Sequence, residues 1–169
     1  KVAIEWVNDF FKDHEESKKI ILYAHHLDVI DTLKEGLRHH GIFTIDGRVP
    51  AKRRAALIKG FQNGARPRVA VINKAGGEGI DLFGKGNIDS STILFVERQW
   101  TPALEEQAIA RLDRIGQSNP VTAYYLLAIG TFDSKMDIHI ARKRKILDDI
   151  VGMEEIEMDV TSEVINGMV

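Results

Sequence analysis

Apolar residues recur along this chain with two different periods. Ala3, Trp6, Val7, Phe10 and Phe11 fall at helical spacing over residues 2–14, and Leu27, Ile30, Leu33 and Leu37 do the same up to Gly41. Between and beyond them stand short unbroken apolar runs: KIILY at 19–23, FTI at 43–45, VAVI at 69–72, TILFV at 92–96 and VTAYYLL at 121–127. Pro50 suits the first turn of a helix reaching about Asn63, with Leu57, Ile58 and Phe61 as its buried stripe and Gly64 as its end. A further helix is predicted from Thr101 and Pro102 to Gly116, and a long one from about Thr131. Strands without polar alternation are buried on both faces, and their alternation with helices predicts an α/β fold: an open parallel sheet with helices on both faces.

Composition adds boundaries. A chain of 169 residues with 44% hydrophobic and 28% charged residues is one ordinary globular domain. The absence of cysteine removes disulfides, thiolate metal sites and cysteine nucleophiles together. The apolar runs are too short for a bilayer, and KVAIEWVNDFFKDH lacks the layout of a signal peptide, so no membrane partner is expected and the location is read as intracellular. That means cytoplasm or nucleoid in a prokaryote or phage, and nucleus in a eukaryote. The start at Lys1, without methionine, fits a piece of a longer chain. Periodicity is lost near Val151, which divides the sequence into a domain at 1–150 and an acidic tail at 151–169.

The net charge of −2 hides an asymmetry. From Arg48 to Ile72 there are seven Lys or Arg and no acid, whereas after Lys145 there are seven Asp or Glu and no base. A basic segment of this kind either meets a phosphate backbone or forms a solvated face, and charge alone favours the second.

QAIARLDRIGQ, at 107–117, is more informative. On one continuous helix Gln107, Arg111 and Arg114 share a narrow arc beside the apolar stripe Leu104, Ala108, Leu112 and Ile115. Neither arginine has an acid three or four residues away. Each is therefore hydrated, paired to a carboxylate of another element, or directed at an anion with several oxygens, such as the γ-phosphate of a nucleotide.

Other stretches carry weaker signals. AGGEGID, 75–81, follows a strand and permits close backbone approach to a ligand, although on its own it is read first as a plain β-to-α turn. Trp100 precedes a Pro-started helix at the end of a strand, where open α/β sheets carry ligands; the alternative is a packing tryptophan. His25 and His26 end the first strand, and no second cluster at metal spacing supports a zinc site, so no metal is assigned. Arg54 is expected to pair with Asp46 and hold the loop between them.

Taken as a set, these segments resemble the Swi/Snf-type ATPases of helicase superfamily two. QAIARLDRIGQ is similar to their motif VI, whose two arginines act as fingers. VAVINKAGGEGIDL, 69–82, is similar to motif V, and KIILYAHHLDVIDTL to motif IV. FVERQWTP, 95–102, resembles the strand with an Asp-Trp-Asn-Pro element, IDGRVPAKRRAALIKGF, 45–61, the Asp-Gly segment, and VTAYYLLAIGTFD the segment after motif VI. The matches run in family order from about residue 18 to 150. YYLLAIGTFD and Glu97 look nearest the annealing-helicase branch and its bacterial or phage relatives. The sequence departs at Asp113 (commonly histidine), Asn73 (commonly threonine), Thr101 (commonly asparagine) and Val49-Pro50 (commonly a Ser/Thr pair).

The resemblance implies a C-terminal RecA-like lobe of a double-stranded DNA translocase. Its ATP and Mg²⁺ are held mainly by an N-terminal RecA-like lobe, since neither a G-x-x-x-x-G-K-[ST] loop nor a DEAH-like tetrapeptide occurs here. It assigns Arg111 and Arg114 as catalytic fingers, Gly77, Gly79, Asp81 and Gln107 to the nucleotide, and Asn73, Lys74, Trp100 and His25 to DNA. The chain is then half an enzyme, inactive alone. A lobe of another superfamily-two DNA or RNA helicase and an α/β interaction module without motor activity are the alternatives.

Overall fold

The computed structural model describes residues 1–74, 79–99, 101–127, 140, 141 and 143. In chain order the elements are α1 (Val2–Lys12), β1 (Lys18–Tyr23), α2 (Leu27–Gly36), a 3₁₀ turn (Arg38–His40), β2 (Ile42–Ile45), α3 (Ala51–Asn63), β3 (Val69–Ile72), β4 (Asp89–Phe95), α4 (Pro102–Ile109) and β5 (Thr122–Tyr125). The strands form one sheet in the order β2–β3–β1–β4–β5, and every neighbouring pair is parallel. The α/β open parallel sheet expected from the apolar runs is the observed fold. The proposed tail at 151–169 and the helix from Thr131 lie outside the described residues, apart from residues 140, 141 and 143.

The unbroken apolar runs are explained by two cores. Ile21, Tyr23, Ala70, Ile72, Ile93 and Phe95 point to one face and pack with Phe61 of α3 and Ala108 of α4. Ile20, Leu22, Val69, Val71 and Leu94 point to the other, against Ala3, Val7 and Phe11 of α1 and Ile30 and Leu33 of α2. Successive residues of a strand face opposite sides, so a sheet covered on both faces needs apolar residues at every position. Each fully buried side chain of this size contributes about 1.5–3 kcal/mol.

Lys19 breaks that pattern, being fully buried within β1. Its Nζ donates to the carbonyls of Phe61, Gly64 and Pro67 and lies 4.7 Å from the Phe61 ring centroid. These carbonyls include the last turn of α3, where backbone acceptors lack helical partners and a cation is favourable. Burial, reinforced by Arg68, lowers the Lys19 pKa to about 8.

Three expectations are corrected. The Asp46 carboxylate pairs with Arg48, through Nη2 at 2.7 Å, and not with Arg54. Arg54 still holds the loop, by donating to backbone oxygens of Val49 (2.8 Å) and Asp46 (3.5 Å). Second, the basic run is not uniformly solvated: Lys52, Arg53 and Lys59 are exposed, but Arg48, Arg54, Arg66 and Arg68 are held by neighbouring groups. Arg48 bridges Asp31 and Asp46, Arg66 donates to the His39 carbonyl, and Arg68 donates to Lys18 and Glu15 carbonyls over the Phe11 ring. Third, α4 stops at Ile109. Residues 110–116 continue as turns, and Ile115 is fully exposed instead of completing an apolar stripe.

Candidate functional site

Because all five strands are parallel, their C-terminal ends form one edge, with Tyr23, Ile45, Ile72, Phe95 and Tyr125 in adjacent register positions. Residues just beyond those ends are gathered by the topology without regard to their distance in sequence. Asn73 and Lys74 follow β3, and α4 returns over the same edge. Together with Tyr23, Ile72, Leu104 and Ala108, the side chains of Asn73, Lys74, Gln107 and Arg111 line a single cleft. The cavity measures about 20 Å³, room for a water-sized group and far below the volume of a nucleotide. As lined by the described residues, the cleft offers a rim to a large anion and does not enclose one.

The turns after α4 carry the two arginines. Leu82 N–H donates to the Arg111 carbonyl at 2.8 Å, tying these turns to the segment after the glycine-rich loop. Arg114 Nε then reaches Asp81 Oδ1 at 3.0 Å, with both side chains about half exposed. Of the open possibilities for Arg114, pairing to a carboxylate of another element is the one observed. Asp81 is further fixed through its carbonyl, which accepts from Gln62 Nε2 at 3.1 Å. Gly79 has φ +70°, a conformation that favours glycine. Gly77 and Trp100 lie outside the described residues.

A neighbouring group stands at the ends of β1 and β4. Glu97 Oε2 accepts from the backbone N–H groups of His25 (2.8 Å) and His26 (3.1 Å), while Oε1 faces both imidazoles. His26, at the N-cap of α2, has its pKa raised by the hydrogen bond and charge of Glu97. Burial opposes ionisation of Glu97, but hydrogen bonds from His26 and from the two backbone N–H groups outweigh it and lower its pKa. His25 Nδ1 lies 3.4 Å from Gln99 Nε2.

Sequence reasoning missed the device that shapes this edge. Arg98 and Glu105 are both buried and paired, with Nε to Oε1 at 3.0 Å. The guanidinium stacks over the Tyr125 ring at 4.5 Å, and Glu105 Oε1 also accepts from Gln99 N–H at 3.2 Å. Glu105 sits in the first turn of α4, where an acid suits the helix dipole, and that placement was the available signal.

Comparison with known proteins decides the family. Residues 2–116 match the helicase conserved C-terminal domain. The chain belongs to that family. A mouse DNA annealing helicase and endonuclease, ZRANB3, is 30% identical over 93% of this chain and 15% of its own length. A Caenorhabditis elegans homologue of the SWI/SNF-related matrix-associated actin-dependent regulator of chromatin subfamily A-like protein 1 is 33% identical over 85% of this chain and 21% of its own. The crystal structure of the C-terminal part of the Fun30 ATPase domain has the same fold, with a TM-score of 0.71 and 18% identity over 89% of this chain and 54% of that one. The helicase domain is thus the C-terminal, RecA-like lobe of a Swi/Snf-type superfamily-two helicase, and it spans a small fraction of the length of these curated relatives. Among the described residues, no helix is long and apolar enough to cross a membrane.

Proposed function

We propose that this domain is the second motor lobe of an ATP-dependent translocase on double-stranded DNA, meeting nucleotide with one rim of the sheet edge and gripping DNA with another. The observation that carries the reading is the shared cleft: Gln107 and Arg111, candidates for nucleotide, stand with Asn73 and Lys74, candidates for DNA phosphate. A motor needs its fuel and track contacts on one rigid element, so that movement of the lobe is felt by both.

The residues present fit one side of a nucleotide site. The small cleft, the absence of a phosphate loop and the cationic Arg111 and Arg114 suit a lobe that completes a site instead of holding one. Bound ATP with Mg²⁺ supplies the phosphoryl group whose hydrolysis powers movement. Arg111 would stabilise charge on the transferring phosphoryl oxygens from the cleft wall. Arg114, oriented by Asp81 when the lobes are apart, would turn to the same oxygens when they close. Gln107 would position the nucleotide, with Gly77 and Gly79 allowing close approach. On the other rim Asn73 can donate to a phosphate oxygen and Lys74 can neutralise one, with Trp100 and His25 as further DNA contacts. The domain alone would be inactive in ATP hydrolysis, and the whole protein is expected to work inside the cell on DNA.

The test is DNA-stimulated ATP turnover by the two-lobe protein carrying Arg111→Ala or Arg114→Ala. A finger acts chiefly in the transition state, so kcat should fall on the order of 10³-fold with the melting temperature unchanged. Turnover equal to that of the parent in both variants would return the arginines to hydrated or structural roles.

A further inference from the structure

Outside the cleft, His25, His26 and Glu97 form a cluster to which the proposed motor assigns only a DNA contact by His25. Each offers one donor atom, an imidazole nitrogen or a carboxylate oxygen, and these three atoms all lie within 4.8 Å of one another. Glu97 Oε1 is the meeting point: His26 Nδ1 is hydrogen-bonded to it and His25 Nε2 stands 3.9 Å away. The imidazole rings touch, with centroids 4.1 Å apart and planes tilted by 47°, so both stand on the same side of the carboxylate.

The cluster is built and not incidental. The second carboxylate oxygen, Oε2, is fixed by two backbone N–H groups at the N-terminus of α2, which leaves Oε1 aimed at the imidazoles. Glu97 is mostly buried, at 18% exposure, whereas the His25 and His26 side chains are 31% and 63% exposed. A rigid inner carboxylate with two outer imidazoles open to solvent gives a cation both an anchor and an entry path. Three ligands each about 2.0–2.2 Å from a tetrahedral metal stand about 3.3 Å apart. The 3.9 Å separation already approaches this, and rotation of the exposed His26 ring would open the second one.

We propose that His25, His26 and Glu97 form a binding site for a divalent transition cation of the Zn²⁺ type, with at least one coordination position left to water. Two imidazoles and one carboxylate are a donor set that suits Zn²⁺ and disfavours Mg²⁺ and Ca²⁺, which take oxygen ligands. The bound ion would bridge the β1–α2 junction to the end of β4, beside Gln99 and next to the proposed DNA rim. The site is independent of the arginine chemistry and stands whether or not the motor reading does.

The experiment is titration of the purified chain with Zn²⁺ by calorimetry and with Co²⁺ by visible absorption. The expected result is one saturable equivalent per chain, with Co²⁺ giving the intense visible bands of a four- or five-coordinate N/O site. Glu97→Gln keeps the oxygen that accepts the backbone N–H groups and weakens binding by tenfold or more. His26→Asn, at an exposed position, does the same, whereas His39→Asn leaves it intact. No saturable binding, or binding that survives both Glu97→Gln and His26→Asn in chains with a parental circular dichroism spectrum and melting temperature, overturns the site and leaves the cluster as a hydrogen-bonded cap of α2.

Discussion

Arg114 Nε and Asp81 Oδ1 meet at 3.0 Å, joining the turns after α4 to the segment that follows the glycine-rich loop. With both partners about half exposed, the pair contributes roughly 0–1 kcal/mol to stability. Asp81→Asn should therefore leave the melting temperature within a few degrees of the parent. If Asp81 orients Arg114 for nucleotide, the same substitution should lower kcat of the two-lobe protein several-fold while Arg114→Ala lowers it far more. A large fall in stability with no kinetic effect would make the contact purely structural. Steady-state ATPase assays beside thermal melts separate these outcomes.

Lys74 is exposed at the mouth of the cleft. If it neutralises one DNA phosphate, Lys74→Ala in the two-lobe protein should weaken duplex binding on all sequences alike. The slope of log affinity against log salt should become shallower by about 1. Fluorescence anisotropy across a salt series measures this directly, and an unchanged slope would remove Lys74 from the DNA rim.

Lys19 donates to three carbonyls from a buried position, so Lys19→Met leaves those acceptors without it. A loss of about 2–4 kcal/mol is expected in urea unfolding at pH 7. The pH dependence follows from its pKa of about 8 in the fold against an ordinary value of 10.5. Between those values the unfolded chain binds more protons at this group than the folded one, so its contribution makes stability rise with pH from about 8 to 10.5. Lys19→Met should remove that component of the slope, and an identical slope in both proteins would contradict it.

Glu105 and Arg98 form a buried pair, and removing one partner takes the opposite charge away from the other. Glu105→Ala should cost about 3–5 kcal/mol, whereas Arg98→Met with Glu105→Leu should cost clearly less, because no buried ion remains. Chemical denaturation of the single and double variants decides this. Equal losses would mean that packing against Tyr125, not charge, dominates.

Much of this protein was legible in its sequence because burial imposes local patterns. KIILY and VAVI have no polar alternation because both sheet faces are covered, and Pro50 and Gly64 bracket α3 as expected. The order of motifs, with QAIARLDRIGQ after VAVINKAGGEGIDL, by itself points to the helicase lobe. Local pattern could not decide which charges meet. Helical spacing put Gln107, Arg111 and Arg114 on one arc, but α4 ends at Ile109, and a long-range bond from Leu82 to Arg111 accompanies the turn there. Arg48 took Asp46 from Arg54 because its side chain lies where Asp31 also reaches it. Glu97 joined His25 and His26 across 71 or more residues because β1 and β4 are parallel neighbours in register. Spacing along the chain determines the elements, since backbone geometry is local; pairing between their ends depends on strand order and register, which only the tertiary structure decides.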